Sequence, residues 1–464
     1  LAERPATLGK LKSSGYRVLP VKAELRKNLI EKLRSREALF PGIVGYDDTV
    51  LPQLQNALLS GQDLILLGER GQAKSRILRS LVALLDEWTP VLDGIEVPEN
   101  PFAPISAPGK QLVAAKGDAT PIRWMHRDER YGEKLATPDI TIADLIGEVD
   151  PIKIAEGRYL SDELTIHYGL LPRVNRGIFA VNELPDLAER IQVGLLNVLE
   201  ERDIQIRGHR VRLPLDIFLV ATANPEDYTN RGRIITPLKD RYGAQIRTHY
   251  PEDLQQEIAI MEQEALHLDM GDYRVSVPDY MKEIIAEITH HARQSPDVNQ
   301  RSGVSVRASV ANYEALLANA FRRALRVGET EVVPRISDLP FIIPSLQGKV
   351  EFEAMEDGQE ARIMDRLMQS AVKAVFDRKF DVNDVEDVAG AFNSGLSVEV
   401  GEGVASRDYG DIVTRVPGLS EVIGALSGES EAARATAIEF VLEGLHLHKL
   451  LNKYSVDGRA SYMG

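Results

Sequence analysis

The segment GERGQAKS, residues 68–75, sets a lysine and a serine behind a glycine-containing turn. It follows the apolar run LILL and leads into a helix-forming stretch, residues 74–87. The spacing fits G-x-x-x-x-G-K-[ST], except that Ala73 stands where a second glycine is usual. Such a loop turns backbone N–H groups toward phosphate oxygens at a helix N-terminus. Lys74 would reach the β- and γ-phosphates of ATP, and Ser75 would ligate Mg²⁺. Gly68, Glu69, Arg70, Gly71, Gln72 and Ala73 would form the cradle. The Ala73 methyl is tolerable there if φ stays negative. Taken alone, the segment also reads as a strand–turn–helix corner with an incidental Lys-Ser.

Two later segments supply partners for that chemistry. GIFAVNE, residues 177–183, places four apolar residues before Asn182 and Glu183. Glu183 fits a general base that polarises an attacking water. Asn182 stands where an acid near Mg²⁺ is expected; an amide can accept a hydrogen bond from a metal-bound water but brings no charge. The bland role for Glu183 is a charge at a helix N-terminus. DIFLVATAN, residues 216–224, ends on Asn224, whose amide could orient the water opposite Glu183 or simply turn the chain before Pro225. Farther on, LKDRYG contains Arg241 and SVRASV contains Arg307. A lone arginine is ordinarily a solvated surface residue, so these two matter only through their order after the other segments.

The elements that would carry these residues follow from hydrophobic patterning. LILLG, GIFAVNE and DIFLVATAN are nearly continuous apolar runs, as strands buried on both faces are. Helical periods lie between them, so residues 41–250 read as an α/β domain with a mostly parallel sheet. An amphipathic stretch at residues 21–39 makes 1–40 a helical arm. Residues 251–345 carry helix-forming, helix-period segments and read as a separate helical domain. Residues 346–464 read as a further helical extension, with helices near 360–376, 382–394 and 430–454.

Composition narrows the function classes. The chain has 464 residues, a net charge of −15 and no cysteine. That length predicts two to four domains, at about 100–200 residues each. The acidic total argues against a general coat for nucleic acid, which needs a basic surface. Without cysteine there are no disulfides, Cys-based zinc sites, iron–sulfur ligands or thiol nucleophiles. No apolar run approaches the roughly 18 residues of a membrane span. The opening LAERPATLGKLKSSGYRVL lacks the apolar core of a signal peptide, and with no initiator Met the true N-terminus is expected upstream or trimmed. The expectation is a soluble, cytoplasmic, multidomain protein with no membrane insertion.

The ordered set GERGQAKS, GIFAVNE, FLVATANPED, LKDRYG and SVRASV resembles the AAA+ ATPases. More narrowly it resembles the ATPase subunit of magnesium chelatase and its MoxR-type relatives, over residues 40–325. FPGIVGYDD is similar to that clade's nucleotide-base segment, which implies Ile43, Val44 and Gly45 near the adenine. TIADLIGEVDPIKIAEGRY resembles its helix-2 insert, and DIQIRGHRVRLP reads as a hairpin about Gly208-His209 where the clade carries one. The resemblance implies an αβα sandwich with a helical lid. It implies a ring, usually of six subunits, with ATP and Mg²⁺ at subunit interfaces. It implies Arg241 as an arginine finger on the neighbour's γ-phosphate and Arg307 as a second sensor. The partner it implies is a separate chain with a VWA-type domain, since DxSxS is absent here. The departures are Ala73, Asn182 and the long C-terminal extension, which sets chelatase activity itself apart from the general expectation.

Three functions follow as expectations: an ATP-hydrolysing ring motor that remodels a protein partner, a nucleotide-gated scaffold with weak turnover, and a nucleic-acid translocase. The last rests on Arg202, Arg207, His209, Arg210 and Arg212, which could make a basic ring if the hairpins line a pore; a solvated hairpin explains them equally, and nucleic acid is the least favoured partner. GAFNSG, residues 390–395, superficially matches the loop of enhancer-binding activators but lies in the wrong part of the chain and reads as a helix end closed by glycine. His446 and His448, at i, i+2 on a helix, face different ways, and His290-His291 has no carboxylate at ligand spacing.

Overall fold

The computed structural model describes residues 4–149, 165–200, 204–206, 209–211, 213–224, 233–300, 302–353, 358–381, 385–426, 428, 430–456 and 458–464. The chain forms two compact units, Leu1–His249 and Tyr250–Gly464.

In the first unit, helices Val21–Ser35 (α1) and Val50–Ser60 (α2) precede strand Leu64–Leu67 (β1), which leads into helix Lys74–Ser80 (α3). Strands Tyr131–Leu135 (β2) and Gly177–Asn182 (β3) follow, then helix Glu189–Glu200 (α4). Strand Ile217–Ala223 (β4), helix Thr236–Arg241 (α5) and strand Ala244–Arg247 (β5) complete the set. The five strands lie in the order β5-β1-β4-β3-β2, and every pairing is parallel. Successive side chains alternate between faces. Leu64, Leu66, Ile178, Ala180, Phe218 and Val220 pack one way, against α1, α2 and α3. Ile65, Phe179, Val181, Leu219 and Ala221 pack the other way, with Ile191 and Leu195 of α4 and Leu238 of α5. This is the mostly parallel sheet expected from the apolar runs, layered as the αβα sandwich that the resemblance implied.

Residues 4–40, within the segment 1–40 expected as an arm, are knitted into this unit. The Val21 N–H donates to both carboxylate oxygens of Asp216, at 3.1 and 3.0 Å. Glu24 of α1 takes a bidentate pair from Arg130 at 2.6 and 2.7 Å, and both residues are buried. Arg130 also donates to the Arg176 carbonyl at 2.7 Å, and Glu24 accepts the Asp86 N–H at 2.6 Å. A buried pair of this kind is tolerable only because hydrogen bonds satisfy its remaining sites.

The second unit is built on helices Asp279–Gln294 (α6), Arg307–Val327 (α7), Gln359–Lys379 (α8) and Glu431–Leu447 (α9). One apolar core runs through it, from Ile258 by way of Met364 and Phe440 to Tyr462. The boundary expected between 345 and 346 is therefore crossed by a single core. Buried polar ties cross it too: Arg335 donates to Ser406 Oγ at 2.6 Å, and the Ser337 N–H to Glu439 at 2.8 Å.

Residues 346–464 are not wholly helical. Strands Ser397–Gly401, Asn452–Val456 and Arg459–Met463 form an antiparallel sheet with Arg459–Met463 in the middle. The helix expected to reach 454 stops at Leu447. Lys449 turns left-handed at φ 61°, and the Leu450 N–H closes on the Leu445 carbonyl at 2.9 Å. The GAFNSG segment ends helix Glu386–Phe392 and turns at Gly395, φ +84°. His446 and His448 serve separate partners, the Leu451 carbonyl and Asp377.

Truncating Glu24 to alanine leaves the Arg130 guanidinium buried without its countercharge. The Glu24→Ala protein should lose about 3–5 kcal/mol of stability, read from guanidinium denaturation followed at Trp88 and Trp124. A loss under about 1 kcal/mol, the range of an exposed pair, would contradict the burial argument.

Candidate functional site

Parallel pairing puts the C-terminal ends of β1, β3 and β4 on one edge of the sheet, where open α/β sheets bind ligands. The Gly68 N–H, just past β1, donates to the Ala223 carbonyl at the end of β4, 3.1 Å away. The loop 68–75 thus starts in register with the strand that delivers Asn224. Lys74 is 9% exposed. Its ammonium donates to the carbonyls of Gly68 and Glu69, the latter at 2.6 Å, and to Asn224 Oδ1 at 2.7 Å. The amide oxygen read in the sequence as a water-orienting group is engaged with the loop lysine.

Two backbone positions here are unusual. Ala73 has φ 53° and ψ 13°, so the condition on which its methyl is tolerable, a negative φ, is not met. The helix starts at the next residue, and the chain must reverse into it through the left-handed region that glycine enters without penalty. Glu183, directly after β3, also lies left-handed at φ 56°. Among the described residues five non-glycine positions have positive φ, and two of them are these. Strain of this kind concentrates at functional sites.

The loop is braced from below. A Cβ on Gly68 would lie 1.9 Å from Thr248 Oγ1 and 2.2 Å from Gln72 Oε1, so only glycine fits. Gln72 Oε1 accepts from the Glu69 N–H at 3.0 Å and from Thr248 Oγ1 at 2.7 Å. Tyr46 Oη donates to the carbonyls of Gln72, at 3.0 Å, and His249, at 2.8 Å. Burial pushes the Tyr46 phenol up to about 12, so it remains a donor at any physiological pH. Tyr46 follows Ile43, Val44 and Gly45 directly; those three are half-buried, and Gly45 turns at φ 80°. The segment expected to meet the adenine is thereby tied to the loop 68–75.

On the other side of Lys74, Ser75 Oγ lies 3.4 Å from Asn182 Oδ1, which also accepts from Thr222 Oγ1 at 3.3 Å. Asn182 Nδ2 donates to the Glu133 carboxylate on β2. Arg79 of α3 grips Glu133 from outside with two bonds of 2.7 and 2.9 Å, and this holds the carboxyl below its usual range. The Glu183 N–H donates to Thr222 Oγ1 at 3.0 Å, and its side chain is half-buried.

A cavity of about 570 Å³ opens beside Gly68, Glu69 and Gln72, with Lys239, Arg247 and Thr248 on its walls. Its size suits a small ligand, and its basic side chains suit an anionic one. An ammonium inside a loop of carbonyls, with a hydroxyl facing an amide oxygen, fits Mg²⁺ and a polyphosphate. Among the described residues no group of three His, Asp or Glu side chains is placed to hold a metal.

Two predicted residues have other recorded partners. Arg241, at the end of α5, forms an ion pair with Glu200 at the end of α4. Arg307 opens α7 in the second unit with its side chain exposed and its N–H on Ser305 Oγ at 3.1 Å. The hairpin is present as strands Ile204–Ile206 and His209–Val211. Arg202, Arg207 and Arg212 lie outside the described residues, as does much of the expected insert, residues 150–159.

Sequence reading missed Tyr46, Thr222, Thr248, Arg79 and Glu133. Thr222 had a signal, being a hydroxyl inside an otherwise apolar run. Glu133 had only the alternation of RYGEKL, which is too short and polar to announce a strand.

A family profile, the sigma-54 interaction domain, matches residues 156–238. The chain is 27% identical over 235 residues to the magnesium-chelatase 38 kDa subunit of Rhodobacter capsulatus, covering 48% of this chain and 59% of that one. Over 232 residues it is 26% identical to the subunit of the same name from Cereibacter sphaeroides, covering 48% and 62%. It thus spans less than two thirds of those two relatives. It is also 28% identical over 262 residues to the uncharacterized protein YeaC of Bacillus subtilis, covering 52% and 76%. Among solved structures, one of the complex between subunits BchI and BchD of magnesium chelatase aligns over 68% of this chain and 96% of that one, at 20% identity and a TM-score of 0.36.

The left-handed Ala73 yields a direct test. Ala73→Gly should stabilise the protein by up to about 1 kcal/mol, because relief of the Cβ clash exceeds the entropy of a freer unfolded chain. Thermal denaturation of the two proteins checks it. A lower midpoint for the glycine variant would show that Ala73 is not strained.

Proposed function

We propose that this chain, an AAA+ ATPase of the clade that includes the magnesium chelatase ATPase subunits, binds Mg²⁺-ATP at the loop 68–75 and spends its hydrolysis on remodelling a protein partner. The observation that carries the reading is the Lys74 ammonium, held between two loop carbonyls and Asn224 at the edge where the parallel strands end. In this reading Gly68, Glu69, Arg70, Gly71, Gln72 and Ala73 wrap the phosphates, and Ile43, Val44 and Gly45 meet the base. Lys74 neutralises charge on the β- and γ-oxygens. Ser75 ligates the metal directly and Asn182 through a water. Glu183 takes the proton of the attacking water, and Asn224 changes partner from Lys74 to the γ-phosphate or that water.

The site is completed by a second copy. Arg241 serves as the finger on a neighbour's γ-phosphate, within a ring that we take to be hexameric, and Arg307 reports the nucleotide state to the second unit. The remodelled partner is a protein, with a VWA-domain chain as the candidate. No described helix is long and apolar enough to cross a membrane, and the cytoplasm is the proposed compartment.

A second reading is favoured by one observation. Asn182 is neutral, and its oxygen and nitrogen are both engaged with protein groups. A site lacking the acid would bind nucleotide and turn it over slowly, as a gated scaffold.

Mg²⁺-dependent ATP turnover separates the two. Glu183→Gln should lower turnover by about 10²–10⁴-fold while nucleotide binding persists. Arg241→Ala should lower it by about 10³-fold or more, and mixing it with Glu183→Gln subunits, which keep the finger, should restore part of the rate. Equal rates in wild type and both variants would sink the motor reading and leave the scaffold.

A further inference from the structure

The Asn182 amide raises a question of orientation and of charge. An amide offers an acceptor on one side and a donor on the other. Only the acceptor can serve a water on Mg²⁺ from beside Ser75. The structure has the useful orientation: Oδ1 faces Ser75 Oγ and Thr222 Oγ1, and Nδ2 faces Glu133. The hydroxyls do not fix this choice, because each can donate or accept. Glu133 does fix it, because an ionised carboxylate only accepts.

Its position is set by the sheet. Glu133 on β2 is in register with Ala180 on β3, two residues before Asn182 and on the same face. Tyr131 lies two residues earlier and donates its hydroxyl to Glu133 at 3.2 Å. With two bonds from Arg79 and one from Asn182, the carboxylate accepts four hydrogen bonds. That fills the roughly four acceptor sites it has. The Glu133 side chain is 20% exposed and that of Arg79 is 64% exposed. The countercharge is thus the more solvated partner, and solvent screens it from the interior more than it screens Glu133.

We propose that Glu133 is a positioning residue for the metal side of this site. It locks the Asn182 amide with its oxygen toward Ser75, and it supplies through that amide the negative charge that an aspartate at 182 would have carried. The pair does in two residues, on adjacent strands, what one acidic side chain at the end of β3 would do. The inference rests on the proposed Mg²⁺-ATP reading of the loop. It also bears on the scaffold reading, because a neutral residue at 182 does not leave the site without an acid.

The test is binding of a fluorescent N-methylanthraniloyl ATP analogue to the full chain, by anisotropy, first in EDTA and then across a Mg²⁺ series. Glu133→Gln keeps the size and the acceptor but removes the charge and the orientation lock. It should raise the Mg²⁺ concentration at half-maximal binding by about fivefold or more, while affinity in EDTA is unchanged. Adding Asn182→Asp to Glu133→Gln returns the charge to β3 and should bring the Mg²⁺ midpoint back to within about twofold of wild type. Asn182→Asp alone sets two carboxylates against each other and should not lower the midpoint. Arg79→Gln, which unmasks Glu133, should lower it.

A Glu133→Gln midpoint equal to wild type would falsify the proposal. So would a raised midpoint that Asn182→Asp fails to restore, since Glu133 would then matter only for folding, or a midpoint raised by Arg79→Gln. Should the wild type bind no nucleotide in EDTA or in Mg²⁺, the reading of the loop itself falls, and the inference with it. That outcome is distinct from nucleotide binding that ignores Glu133.

Discussion

The first unit is organised around one ammonium group. Lys74 is nearly withdrawn from water and its charge is offset by oxygen dipoles from two different elements, the loop after β1 and the residue after β4. A buried lysine is stable only with such partners. Their positions therefore constrain everything nearby. The loop must curl far enough to offer two carbonyls, which forces Ala73 left-handed. The two strands must be adjacent and parallel so that Gly68 and Asn224 emerge at the same height. Glycine is required at 68 because Thr248 and Gln72 already fill the space beneath it.

The same geometry makes the site responsive. A polyphosphate would offer Lys74 charged oxygens in place of neutral ones, and charge-assisted bonds are roughly twice as strong. Asn224 is released whenever the lysine turns away. Its strand runs beside β3, which ends in Asn182 and Glu183, and Thr222 on β4 touches both of those residues. Two adjacent strands thus link the loop to the groups proposed to handle water and metal.

Much of this was legible from order and spacing. The loop, the two apolar strands ending in amides, and the parallel sheet all follow from runs of residue types that have few alternative uses. The unread parts share a cause. Glu133 and Arg79 act through contacts between segments some fifty residues apart, 133 with 182 and 79 with 133, and no local pattern encodes such a pairing. The buried Glu24–Arg130 pair was hidden for the same reason, since both residues look like surface charges in sequence. The sign of φ at Ala73 stayed open in the sequence, because a non-glycine residue ordinarily takes a negative value and only the tertiary demand for a tight loop reverses it. The C-terminal sheet went unseen because its strands carry no continuous apolar run, and the preceding helix is terminated by a lysine rather than by glycine or proline.

That sheet has a consequence for how the molecule is made. Its middle strand, Arg459–Met463, is the later partner of both its neighbours. During synthesis Ser397–Gly401 emerges first and has no strand to pair with until Met463 has left the ribosome. At about 5–20 residues per second that is a wait of several seconds. Tyr462, which donates to the buried Glu443 carboxylate of α9, arrives with the same strand. Until then Glu443 lacks that donor, and the apolar core that the strand caps stays open. The second unit therefore cannot complete its core until Arg459–Met463 has been made, while the first can already have closed around its sheet.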